Sequence, residues 1–346
     1  MKYILISTIV LIFNLYAEPL TTVNQDSLYS YELNTSDVNG DFPTWGITSG
    51  SSLPTWLKFT NSGNYGTLST LVGSGLNQPQ GVAVGSDGSV YIADTGNKAI
   101  KKVDTNGTVS TLANTIIGSF GLAVGNDGSV YYIDHGYKRI KKVDANGTES
   151  VWTLFDVYFG QPYSGVALGI DGSVYASNYI EISKYNANGI QLDSDVGGPT
   201  AWTGLDSPKG LAVGSDGSLY IADSVNNAIK KVDTNGMVST LAVSGLNNPR
   251  GVAVGSDGAL YIADTGNNAI KKVDTNGTVS TLVDSGLNNP YGVAVGSDGS
   301  VYIADTDNNA TKKLPVIGTT LSGTPTNADV GIHDINLTLS DGQGGS

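Results

Sequence analysis

Residues 251–283 read GVAVGSDGALYIADTGNNAIKKVDTNGTVSTLV. Residues 251–255 alternate Val with Ala and Gly, which suits a closely packed inner strand. Ser256-Asp257-Gly258 is a hairpin turn signal, because Asp and Gly tolerate the dihedrals such turns need. Residues 259–264 form a second β-type run, 265–268 a loop, and 269–273 a third run. Asp274-Thr275-Asn276-Gly277 is a second turn, and 278–283 a fourth run. No stretch carries a helical period.

The unit recurs. Gly-(Val/Leu)-Ala-(Val/Leu)-Gly starts at Gly81, Gly121, Gly165, Gly210, Gly251 and Gly292, at spacings of 40, 44, 45, 41 and 41 residues. A four-stranded unit at this period predicts an all-β fold, a six-bladed β-propeller. The last copy stops after three strands, near Leu314. Residues 66–72 (GTLSTLV) precede the first copy and match the fourth strands. The N-terminal strand is therefore expected to complete the last blade and close the ring, leaving no long free edge.

Composition narrows the function. A net charge of −13 and 46 Gly fit an acidic protein of short strands and tight turns. Such a surface repels phosphate backbones, so nucleic acid is not expected as a partner. With no Cys, disulfides and thiolate metal sites are excluded. Residues 1–17 read as a signal peptide: Lys2 precedes an apolar run that ends in Leu15-Tyr16-Ala17. The expectation is a secreted or cell-surface protein, with no membrane insertion after cleavage.

Pro-x-Gly-Val-Ala-Val followed by Tyr-Ile-Ala-Asp-Thr-Gly-Asn resembles the NHL-repeat propellers over residues 65–316. YWTD-type propellers are the second resemblance, but residues 91–94 lack their Trp. The flanks differ from the repeat. Residues 53–59 (LPTWLKF) and 321–331 (LSGTPTNADVG), about 260 residues apart, are together similar to the dystroglycan-type cadherin-like, or Ig-like, domain of bacterial surface proteins. That resemblance implies a split Ig-like sandwich, residues 20–60 plus 317–346, with the propeller inserted in one of its loops, where insertions are tolerated. Its usual final strand would follow Ser346, so the sandwich is expected to be incomplete.

Candidate chemistry follows from what varies. The residue before each inner-strand Gly differs from blade to blade: Gln80, Phe120, Ser164, Lys209, Arg250 and Tyr291. It opens the innermost strand beside the central axis, and aromatic and Arg side chains are enriched at recognition sites. Loop residues His135, Tyr137 and Arg139 would extend this ligand-binding surface. Asp37, Asn39 and Asp41 alternate oxygen ligands as calcium loops do, and Asp341 could join them. The aspartates closing the second strands are expected to bond their own loops, and Lys pairs such as Lys271-Lys272 to point into water.

Lyases with NHL-like and streptogramin-lyase propellers use histidines around the axis. This chain has two His, His135 and His333, too few for a multi-His metal site. The leading expectation is a non-enzymatic extracellular module that binds protein or glycan on the free propeller face. The alternative is a propeller-type lyase or lactonase. Calcium is the one cofactor expected.

Overall fold

The structure is a computed structural model that describes residues 29–33, 44–47, 57–114, 121–134, 139–154, 164–178, 182–193, 204–323 and 337–340. The chain divides into two compact units, residues 68–314 and residues 1–67 with 315–346.

The larger unit is the six-bladed propeller. Its inner strands are Pro79–Val84, Leu122–Val124, Gly165–Leu168, Pro208–Val213, Gly251–Val254 and Pro290–Val295. Each neighbours the next around the axis, and the sixth returns to the first. Five blades are continuous four-stranded antiparallel meanders. In blade six the order is Pro290–Val295, Val301–Asp305, Ala310–Leu314, then Ser69–Val72 from the other end of the propeller. The closing strand pairs Thr311 with Val72, Lys312 with Thr70 and Lys313 with Ser69. In blade five the observed strands, Gly251–Val254, Leu260–Asp264, Ala269–Val273 and Val279–Val283, lie within one residue of the expected runs.

The repeat's residues explain its geometry. The second-strand core is buried on both faces, with Ile92, Ile221, Ile262 and Ile303 fully covered. Sheets stacked around an axis bury both faces of their middle strands, so alternation gives way to near-continuous apolar runs. The inner-strand glycines admit a second backbone. A Cβ on Gly210 would lie 2.7 Å from the Arg250 carbonyl oxygen, and one on Gly292 would lie 2.7 Å from that of Gln80.

Each hairpin turn is locked the same way. Asp257 Oδ1 accepts the Ala259 N–H at 3.0 Å. Its Oδ2 lies 3.0 Å from Lys272 Nζ, which also sits 5.4 Å over the Tyr261 ring. The same Asp–Lys–Tyr group recurs in all six blades. The second Lys of each pair is thus held at a turn rather than pointing freely into water. A carboxylate and an aromatic face within reach of the stem outweigh its solvation. At Asp216 the Ser218 backbone N–H, then the Ser218 hydroxyl and Lys231, hold the carboxyl below its usual range against the effect of burial.

The aspartates closing the second strands do more than bond their own loops. Asp264 is fully buried; its Oδ2 accepts from Asn267 in that loop, but its Oδ1 accepts the Asn247 N–H at 2.7 Å from the segment entering the blade. Asp94, Asp223 and Asp305 repeat this. The next residue links blades: Ser224, Thr265 and Thr306 donate to the carbonyls of Pro249, Pro290 and Pro79.

In the smaller unit, Tyr29–Leu33, Val316–Gly323 and Leu57–Tyr65 form a three-stranded antiparallel sheet, and Thr44–Ile47 pairs with Leu337–Ser340. Each of these sheets joins a strand that precedes the propeller to one that follows it. Residues 1–17 and the calcium candidates Asp37, Asn39, Asp41 and Asp341 lie outside the described residues. Among the described residues no helix is long and apolar enough to cross a membrane.

Candidate functional site

The ring of inner strands places a residue from each of five blades at the mouth of the axis. Gln80, Ser164, Lys209, Arg250 and Tyr291 line one cavity of about 60 Å³, floored by the inner-strand glycines and by Val82, Val166, Leu211, Val252 and Val293. On the measure where one water occupies roughly 10–15 Å³, this admits a few waters or a small polar group. Five of the six expected mouth residues are therefore brought together. Phe120, His135 and Tyr137 lie outside the described residues. Arg139 is engaged elsewhere, its Nε donating at 3.0 Å to buried Asp134. Its guanidinium serves the second-strand aspartate of blade two.

Two cations dominate the cavity, in a protein of net charge −13. Arg250 stacks 4.1 Å from the Tyr291 ring centroid. Its Nε and Gln80 Oε1 are buried, with no hydrogen-bond partner among the described residues. A buried guanidinium N–H left without an acceptor costs free energy, which an oxygen-bearing ligand would recover. Lys209 is half-buried; its ammonium is pushed below the usual lysine range by desolvation and then by the charge of Arg250. Its Nζ lies 3.2 Å from Ser164 Oγ.

Blade three supports this corner through its departure from the repeat. Where other blades carry Ala93, Ala222, Ala263 or Ala304, it carries fully buried Ser177. The Ser177 carbonyl accepts the Ser164 N–H at 2.7 Å. The Ser177 hydroxyl accepts from Gly165 N–H at 2.8 Å and donates to the Lys209 carbonyl at 2.9 Å. One side chain thus fixes the backbones carrying both Ser164 and Lys209. The sequence marks blade three as divergent; that its serine grips two mouth residues is visible only in the fold.

The donor set does not fit a metal centre. Two cations repel a third, and the remaining groups are an amide, a hydroxyl and a phenol. Among the described residues no group of three His, Cys, Asp or Glu is placed to hold a metal ion.

A model of the virginiamycin B lyase family matches residues 31–314. The chain belongs to the virginiamycin B lyase family. Several solved structures share its propeller. A streptogramin B lyase is 18% identical at a TM-score of 0.58, covering 72% of this chain and 97% of its own. A catalytically inactive histidine-to-alanine variant of virginiamycin B lyase from Staphylococcus aureus, with quinupristin, is 17% identical at 0.54, covering 84% and 100%. A gluconolactonase from Xanthomonas campestris is 16% identical at 0.61, covering 83% and 100%. No curated protein matches the sequence. Identities this low show the fold alone. Membership of the virginiamycin B lyase family supports the lyase alternative over the non-enzymatic binder expected first.

Proposed function

We propose that the protein is a propeller-type lyase or lactonase that holds the carbonyl or carboxylate oxygen of a cyclic ester in the central mouth. The observation that carries this reading is the pair of half-buried cations, Lys209 and Arg250, with a buried Arg250 N–H unanswered. Ester opening, by elimination or by hydrolysis, builds negative charge on oxygen. A preorganised guanidinium in a recessed site stabilises that charge more than water does. Family membership supports the same chemistry.

The purified chain is expected to turn over small lactones or streptogramin B depsipeptides. Arg250→Ala should lower kcat/KM by roughly 10²-fold or more, as loss of one oxyanion donor does elsewhere. Absence of turnover with both substrate classes, measured by product mass spectrometry, would overturn the reading.

A second reading, capture of a protein or glycan without turnover, is favoured by one observation: mouth residues vary between blades whose framework is almost copied. Pull-down from the native surface without product formation would select it.

The flanking unit carries three further proposals. It is a cadherin-like, Ig-like module into which the propeller is inserted; it acts outside the cytoplasm after signal cleavage; and calcium binds at Asp37, Asn39, Asp41 and Asp341. The sequence resemblance and the alternating oxygen ligands support these. Chelation is expected to lower the melting temperature measured by calorimetry, and an unchanged transition would remove the calcium proposal.

A further inference from the structure

We infer that Ser164 and Lys209 form a serine–lysine dyad that opens small cyclic esters through an acyl-serine. The inference rests on the lactonase arm of the proposed function and names its nucleophile and base.

Three observations carry it. Lys209 Nζ lies 3.2 Å from Ser164 Oγ, within the reach a base needs to take a hydroxyl proton. Both residues line the same cavity as Arg250, whose buried Nε has no hydrogen-bond partner among the described residues. The Ser177 hydroxyl, present in blade three where most blades have Ala, accepts from Gly165 N–H beside Ser164 and donates to the Lys209 carbonyl, tying the two backbones together. Desolvation and the Arg250 charge also push the lysine below its usual range, which raises its neutral, basic fraction. Serine–lysine pairs need no third residue to orient an imidazole, so the dyad requires no histidine.

The step balances. Ser164 Oγ attacks the lactone carbonyl carbon while Lys209 Nζ takes the hydroxyl proton. Negative charge collects on the carbonyl oxygen, in the cavity that Arg250 also lines. The ring C–O bond breaks, and the leaving alkoxide takes the proton back from Lys209. Water, deprotonated by Lys209, then attacks the acyl-serine. It releases the hydroxy acid and restores the serine. Lactone and water give hydroxy acid, with no oxidant, reductant or metal. Ser164 is 1% exposed, so the carbonyl must enter the recess edge-on. Unbranched γ- and δ-lactones are therefore favoured over substrates crowded at the carbonyl.

The test is labelling of the full-length protein with a small alkyl fluorophosphonate, read by peptide mass spectrometry. The expected adduct is on Ser164. Ser164→Ala should abolish it, and Lys209→Met should slow it at least 100-fold in protein that still melts normally. Ser177→Ala, a positioning change, should slow labelling about tenfold without moving its pH midpoint. In the unaltered protein the labelling rate should rise with pH through a midpoint below the ordinary lysine value of 10.5. Arg250→Ala should move that midpoint upward. An adduct on another residue, or a pH-independent rate, would overturn the dyad. Lactone turnover that survives Ser164→Ala sinks the dyad and leaves the proposed function standing. Labelling of Ser164 without turnover of any lactone sinks ester opening by the dyad, and streptogramin B turnover in the same protein would still leave the proposed function standing.

Discussion

Gly251→Val is expected to destabilise the propeller by about 3 kcal/mol or more, the range of severe overpacking. For a unit of this size that lowers the melting temperature by roughly 6–12 °C. A Cβ at this position would collide with the Tyr291 carbonyl oxygen and lie 3.1 Å from the Val293 nitrogen. Both atoms belong to the backbone of the next inner strand, and a strand clamped between two others cannot yield as a flexible side chain would. Gly165 faces the Lys209 carbonyl in the same way. The control is Gly107→Asn. Gly107 has φ +81° and open space beyond its Cβ position, and Asn tolerates left-handed backbone, so the cost should stay within about 1 kcal/mol. Equal losses in urea or thermal unfolding would show that the inner strands are not packed backbone to backbone.

A disulfide between Thr70→Cys and Lys312→Cys is expected to stabilise the ring more than the same bridge elsewhere. The two positions pair across the closing strand, and their side chains touch, with Lys312 Nζ 2.9 Å from Thr70 Oγ1. Antiparallel partners have Cα separations of about 4.5–5.5 Å, which a disulfide accepts. The residues are 242 positions apart, so the cross-link removes a large loop entropy from the unfolded chain, up to about 5 kcal/mol. The equivalent blade-one pair, Lys101 and Thr111, is 10 positions apart and should gain at most about 3 kcal/mol. The chain has no Cys of its own, so reduction should return both variants close to the starting stability. The measurement is the urea midpoint, oxidised against reduced. Equal gains would mean that the unfolded chain does not sample the long loop as an open coil.

The ring was legible because each blade repeats its own local rules. Turn residues stand at fixed offsets, β-type runs lie between them, and the one missing fourth strand at the end has its match at the start. The mouth was legible as a set, since one residue per blade precedes an inner-strand Gly. The lysines were misread: a Lys-Lys pair on a strand looks like two solvated heads, and only blade geometry brings the turn Asp and the Tyr face to the second one. The strand-closing aspartates were half-read, because their second hydrogen bond goes to a residue 17 positions earlier. The functional weighting was also inverted. A count of two histidines spoke against an enzyme, yet the chain belongs to a lyase family, and among the described residues its mouth holds a serine, a lysine and an arginine.

The sequence by itself determined the all-β class, the six blades, the strand that closes them and five of the residues that line the axial cavity. Those are consequences of period and local turn chemistry, which act within a few tens of residues. Only the tertiary structure decided what the mouth residues do to one another. Ser164 and Lys209 lie 45 positions apart and come within 3.2 Å because neighbouring blades press their inner strands together. Burial there lowers the lysine and leaves the Arg250 Nε unanswered. Desolvation and charge proximity depend on packing around the axis, and no window of sequence contains them.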